Sequence, residues 1–169
     1  QRLTPFTVGA ARITPFETSH DAAGSIDYRI DAAGGSVGIL TDTGLITDEA
    51  ADVLAGAALL MLESNHDEEC LRSGPYPYSL KQRILGQRGH LNNEDCARAL
   101  CELAARGTKA VFLSHLSTDN NLPELAYNTV CGALSSAGFD VGNDVRVCVS
   151  RRDKVSDMLV LQTDEADAM

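Results

Sequence analysis

Positive charge is scarce in this sequence: 14 Lys and Arg stand against 24 Asp and Glu, for a formal net charge of −10. Such a chain does not steer polyanions from a distance, and only a local basic patch would draw them in. Two groups are dense enough to form one, Arg72, Lys81, Arg83 and Arg88 in mid-chain and Arg146, Arg151, Arg152 and Lys154 near the end. Each reads first as a solvated face of mixed charge. Paired cysteine motifs are missing too. Cys70, Cys96, Cys101, Cys131 and Cys148 are odd in number and form no C-x-x-C. That argues against a zinc–thiolate site and for reduced thiols in a cytoplasmic protein. No apolar run approaches the ~18 residues of a membrane span, and Gln1 opens no signal peptide. A first residue other than Met points to a processed, truncated or partly observed chain. Phosphate-binding glycine loops, a G-x-S-x-G elbow and a dinucleotide fingerprint are all absent, and Gly34-Gly35 is a hairpin turn.

What is present fits one α/β domain. At 169 residues the chain can bury roughly two thirds of its unfolded surface. Leu3 to Val8, Arg12 to Thr18, Ile26 to Ile30 and Val37 to Thr41 read as strands in hairpin order. From there the period changes to helix alternating with strand. Thr47 caps a short helix through Leu54, and Ala57 to Leu62 is an apolar run expected to be buried on both sheet faces. Pro75 and Pro77 break the chain, leaving Pro75 to Tyr78 as a rigid aromatic loop. Helices are expected over Ser79 to Gln87, from the Asn92 cap to Arg106, and over Leu122 to Ala137. Ala110 to Leu113 is a second buried strand. Val145 to Val149 and Met158 to Leu161 are read as a closing pair, with an acidic tail from residue 163 expected to fray.

The chemistry sits in polar motifs at the ends of apolar stretches: Ser19-His20-Asp21, Asp42-Thr43-Gly44, Glu63 to Asp67, Gly89-His90-Leu91 and Ser114-His115-Leu116. Imidazole and carboxylate groups delivered to strand ends are what a divalent-metal hydrolase site is made from. His20, Asp42 and His115 can converge on one rim, and an aspartate can bridge two cations through its two oxygens. His90, just before a helix cap, is either a surface histidine or a proton donor, because imidazole titrates near neutral pH. Glu63 and His66 read as substrate contacts or as supports behind the ligands. Asn120 and Asn121 read as turn formers or ligand contacts.

In order along the chain, Ser-His-Asp-Ala-Ala (19–23), Thr-Asp-Thr-Gly (41–44), Leu-Glu-Ser-Asn-His-Asp (62–67), Gly-Pro-Tyr-Pro-Tyr (74–78), Leu-Lys-Gln-Arg-Ile-Leu (80–85), Arg-Gly-His-Leu (88–91) and the His115 segment with Asn120-Asn121 resemble the WalJ (YycJ) family. These are bacterial hydrolases of the metallo-β-lactamase fold, similar to its RNA- and DNA-cleaving nucleases. The resemblance runs from about Phe16 to Leu161. It implies the C-terminal portion of an αβ/βα sandwich, a mixed sheet with flanking helices. It also implies two divalent ions, zinc or manganese, held by His20, Asp42 as bridge and His115. His90 is implied as proton donor to the leaving group, and nucleic acid as substrate.

One departure stands out. The superfamily's His-x-His-x-Asp-His motif is absent. The resemblance therefore implies a partial domain, inactive alone, whose open sheet face must be covered by the missing N-terminal half or by a second chain. A non-catalytic scaffold and a hydrolase of small esters or thioesters are the competing readings, since one fold hosts many chemistries.

Overall fold

The computed structural model describes residues 3–156 and 158–160. Seven strands form one sheet in sequence order, β1-β2-β3-β4-β5-β6-β7. Strands β1 (Phe6–Val8), β2 (Ala11–Glu17), β3 (Ile26–Ala32) and β4 (Gly35–Leu40) are antiparallel neighbours. From β4 onward the pairing is parallel, through β5 (Leu59–Glu63), β6 (Ala110–Ser114) and β7 (Arg146–Val149). Each parallel step needs a crossover, and the crossovers carry the helices: α1 (Asp48–Leu54), then α2 (Glu68–Ser73), α3 (Tyr78–Ile84) and α4 (Asn93–Ala105), then α5 (Pro123–Ser136).

The core lies between one sheet face and α1, α4 and α5. Leu40, Leu60, Leu62, Val111 and Leu113 point into it and meet Leu54, Leu100, Leu103, Val130 and Leu134, all essentially buried. Each such side chain stabilises the fold by about 2 kcal/mol. The opposite face is different. Val37, Ile39, Leu59, Met61 and Phe112 alternate with the core residues, and none of them is buried. In register, Ile39, Met61 and Phe112 make a row across β4, β5 and β6. The two apolar strands expected to be covered on both faces are therefore covered on one, because among the described residues all the core helices lie on the same side.

Three local expectations change. Residues 68–73, which carry no periodicity and to which the sequence assigns no element, form α2, whose N-cap Asp67 accepts the Cys70 amide at 2.8 Å. The first strand is three residues long. The second half of the closing pair does not form over residues 158–160, where the backbone is irregular, and Leu161 and the acidic tail lie outside the described residues.

Candidate metal centre

Strand direction gathers the polar motifs. β2 and β4 run parallel to each other, both being antiparallel to β3, and β5, β6 and β7 follow β4. All five C-terminal ends therefore lie on one sheet edge, the place where open α/β sheets put their sites. His20 follows β2, Asp42 follows β4, Glu63 ends β5 and His115 follows β6. His90 comes from the loop between α3 and α4. Gly89 presses that loop onto the last carbonyls of α3, where a Cβ would collide with the Ile84 and Arg83 oxygens. Gly44 allows the same close approach between the Asp42 loop and Gln87.

The five side chains converge. The Asp42 Oδ1 atom lies 3.7 Å from His20 Nε2, 3.7 Å from His90 Nδ1 and 3.8 Å from His115 Nδ1. The His90 ring sits between the other two, with centroid separations of 5.0 Å to His20 and 5.2 Å to His115. Asp42, Glu63, His90 and His115 each bring one donor atom within 4.8 Å of the others, and His20 joins them through Asp42.

Glu63 organises the group from behind. It is fully buried, and a buried charge persists only when paired and hydrogen-bonded. Its Oε1 accepts from His90 Nδ1 at 2.8 Å and His115 Nδ1 at 2.6 Å, while Oε2 accepts the Thr43 amide at 2.9 Å and the Leu91 amide at 3.4 Å. Burial raises its pKa, but the bonds from His115, His90 and Thr43 outweigh this and hold the carboxyl below the ordinary range. The same bond pushes His115 upward. An ionised carboxylate only accepts, so both imidazoles carry their proton on Nδ1 and keep the Nε2 lone pair free. His20 is set likewise, its Nδ1 donating to the Gly89 carbonyl at 2.9 Å while Nε2 faces Asp42.

Asp42 and His115 share a further feature. Their φ angles are +50° and +57°, and among the described residues they are the two non-glycine residues in the left-handed region. Held there by the surrounding structure, such residues store strain of order 1–3 kcal/mol and cluster at functional sites. The Asn65 side chain supports one of them, donating to the His115 carbonyl at 2.8 Å.

These donors suit a divalent cation. With Nδ1 protonated, His20, His90 and His115 each keep an Nε2 lone pair free to ligate, and the Asp42 carboxylate stands among the three rings without hydrogen-bonding any of them. Above them opens a cleft of about 470 Å3, lined also by Tyr76 and Arg83. Tyr76, from the aromatic loop, donates its hydroxyl to Asp119 at 2.7 Å.

The remaining candidates fall elsewhere. His66 is 1% exposed, does not line the cleft, and has no hydrogen-bond partner on either ring nitrogen. Burial pushes its pKa down to about 4. Asn121 exchanges amide bonds with Asn93 at 2.9 and 3.0 Å and donates to the Ser64 carbonyl, while Ser64 Oγ donates to Asn93 at 2.7 Å. Asn120 is buried and its backbone oxygen accepts the Asp67 amide. His66 and Asn120 thus belong to a sealed polar layer behind the site, out of reach of a ligand in the cleft. Asn65 and Thr43 were missed in the sequence, although both stand inside the motifs that carry the resemblance.

Residues 2–119 match the description of the beta-lactamase superfamily domain. The chain is 43% identical over 136 residues to a Bacillus anthracis protein named exodeoxyribonuclease YycJ, covering 80% of this chain and 52% of that protein. It is 43% identical over 141 residues to Streptococcus pneumoniae exodeoxyribonuclease WalJ, covering 83% and 52% respectively. The chain thus spans about half the length of the curated relatives it matches. Among solved structures, the metallo-β-lactamase fold protein YhfI from Bacillus subtilis superposes with a TM-score of 0.63 at 20% identity, over 89% of this chain and 51% of its own. The chain belongs to the beta-lactamase superfamily and has its fold.

Proposed function

From that membership we propose that this chain carries one side of the active site of a metal-dependent DNA phosphodiesterase, with His20, Asp42 and His115 as metal ligands and His90 as proton donor. The observation that supports it best is the Asp42 carboxylate facing three imidazole nitrogens at 3.7–3.8 Å, with buried Glu63 fixing two of them. The names borne by the relatives at 43% identity favour DNA as the polymer. Zinc or manganese is the expected ion, and a second ion would need donors beyond this sequence, which has no His-x-His-x-Asp-His. Bound metal would supply a Lewis acid for the phosphate and an activated water. The open face carrying Ile39, Met61 and Phe112 is the surface that a further segment or a second chain covers in the working, cytoplasmic enzyme.

The residues divide the labour. Asp42, half-exposed at the centre, is the acidic group nearest all three rings. Glu63 holds His90 and His115 in one tautomer and balances positive charge on either. His90, between the two other rings and facing the cleft, is placed to give a proton to the departing oxygen and recover it from solvent. The test is equilibrium dialysis against Zn2+ and Mn2+, followed by cleavage of 5′-phosphorylated DNA and RNA strands and a small phosphodiester by the protein completed with the full-length relatives' N-terminal portion. Metal retention with DNA cleavage is expected. Metal retention with hydrolysis of esters alone would replace this reading with that of a small-molecule hydrolase.

A further inference from the structure

The metal cleft does not end at the metal ligands. A second cavity of about 450 Å3 adjoins it, and the two share Leu116, Ser117, Thr118 and Arg152. The sequence reading left Arg151 and Arg152 as solvated surface charge, and the strand directions change that. β7 is the last parallel strand, so its C-terminal end lies on the same sheet edge as the donors, and residues 150–152 leave it there. The segment is anchored by the Ser150 amide donating to the Leu113 carbonyl at 2.8 Å and the Arg151 amide donating to Ser156 Oγ at 3.0 Å. Arg152 lines the metal cleft together with His115.

Arg152 also differs from Arg83, which lines the same cleft, and from Arg88 behind it. Arg83 is engaged by Asp21, and Arg88 donates to the His20 carbonyl. Among the described residues no salt bridge engages Arg152. The second cavity is amphipathic: Leu116, Leu122, Pro123 and Val149 give it an apolar lining, and Ser117, Thr118 and Ser150 add hydroxyls. Glu124 and Asp153 line it as well, so its summed charge is near zero and a cationic grip comes from Arg152 at the junction. Among the described residues no aromatic ring lines the cavity, so a base would rest on aliphatic surface with no platform to select its identity.

We propose that the two cavities form one groove for a single DNA strand, in which Arg152 grips the phosphate next to the scissile one while the adjoining nucleoside lies over Leu122, Pro123 and Val149, independent of sequence. This rests on the phosphodiesterase reading and extends it, making Arg152 a substrate-positioning residue. A lone phosphodiester would need only the metal cleft, whereas a strand would use both cavities.

The experiment compares two probes on the 169-residue protein in Mn2+: a cleavage-resistant phosphorothioate oligothymidylate of about six nucleotides, and thymidine 5′-monophosphate. Arg152→Ala should weaken the strand about tenfold and reduce the slope of log affinity against log salt by ~0.7, the signature of one lost phosphate contact on a single strand. Arg152→Lys should recover most of the affinity, and monophosphate binding should stay within twofold of wild type. Leu122→Asp, at a side chain 59% exposed, should weaken the strand and spare the monophosphate as well. Unchanged strand affinity in Arg152→Ala, or equal weakening of both probes, would overturn this assignment alone. A wild-type protein that holds Mn2+ and the monophosphate but no strand would overturn the nucleic-acid reading and the groove together.

Discussion

Two polar clusters alternate along the same segments and meet opposite fates. Glu63 is buried directly behind the site and holds His90 and His115, while Ser64 and His66 turn away from it. His90 lies at the cleft, and Asn93, three residues on, is sealed. His115 borders the cleft, and Asn120 and Asn121 lie behind it. In the sealed layer, amides and a hydroxyl satisfy one another at 2.7–3.0 Å and stitch β5 to the starts of α4 and α5. In the open cluster each imidazole is held from behind through Nδ1, while the half-exposed Asp42 carboxylate stays 3.7–3.8 Å from all three rings. Histidine occurs in both, so residue type does not decide the role. Access to the cleft does: His66 is sealed with no hydrogen-bond partner, whereas His90 and His115 line the cleft and are held by Glu63.

The sharpest break of this contrast is Asp42→Ala, which removes the acidic oxygen common to three rings. Metal content by dialysis and cleavage by the completed protein should both fall to background, while thermal stability is kept. His90→Ala should separate the two readouts, keeping near-normal metal while turnover drops roughly 10²–10⁴-fold, the usual value of a positioned proton transfer. Loss of metal in this variant would make His90 a ligand. Asn93→Ala attacks the sealed layer. It leaves the Ser64 hydroxyl and one Asn121 donor short of partners, and urea denaturation should show a loss of about 3 kcal/mol with metal affinity nearly unchanged in the molecules that remain folded.

The smallest effect is a pH slope. His66 is buried neutral with its pKa lowered to about 4. Between its ordinary value near 6.5 and that lowered value, the unfolded chain binds a proton that the native one refuses. Stability therefore falls as pH drops through this window and levels off below it, by roughly 3 kcal/mol from this group. His66→Gln should flatten that part of the denaturation-versus-pH curve; an unaltered slope would assign it to other groups.

The convergence of the candidate site was legible because strands deliver residues to fixed ends: β4 stops two residues before Asp42, and β6 one residue before His115. The support role of Glu63 was half-legible. A glutamate closing an apolar strand must be buried with partners, yet nothing local says that those partners come from residues 43, 90, 91 and 115. α2 escaped notice because six residues with one buried apolar side chain, Leu71, carry no period. Its Asp67 cap and acidic first turn were the available signals. The one-sided burial of β5 and β6 was hidden for another reason. An apolar run records what a sheet face is suited to meet, and gives no sign of whether this stretch of chain brings the partner.

The left-handed backbone at Asp42 and His115 bears on how the protein would age without selection. Glycine would sit there at least cost, and aspartate and histidine are among the few other residues that tolerate this backbone. Mutation supplies relief readily, since replacements at strained sites tend to stabilise a fold while erasing what it did. A lineage that no longer needed the chemistry would be expected to change at these two residues early, well before the buried amides of Asn93 and Asn121. Aspartate and histidine standing there together are what the proposed site asks of that backbone.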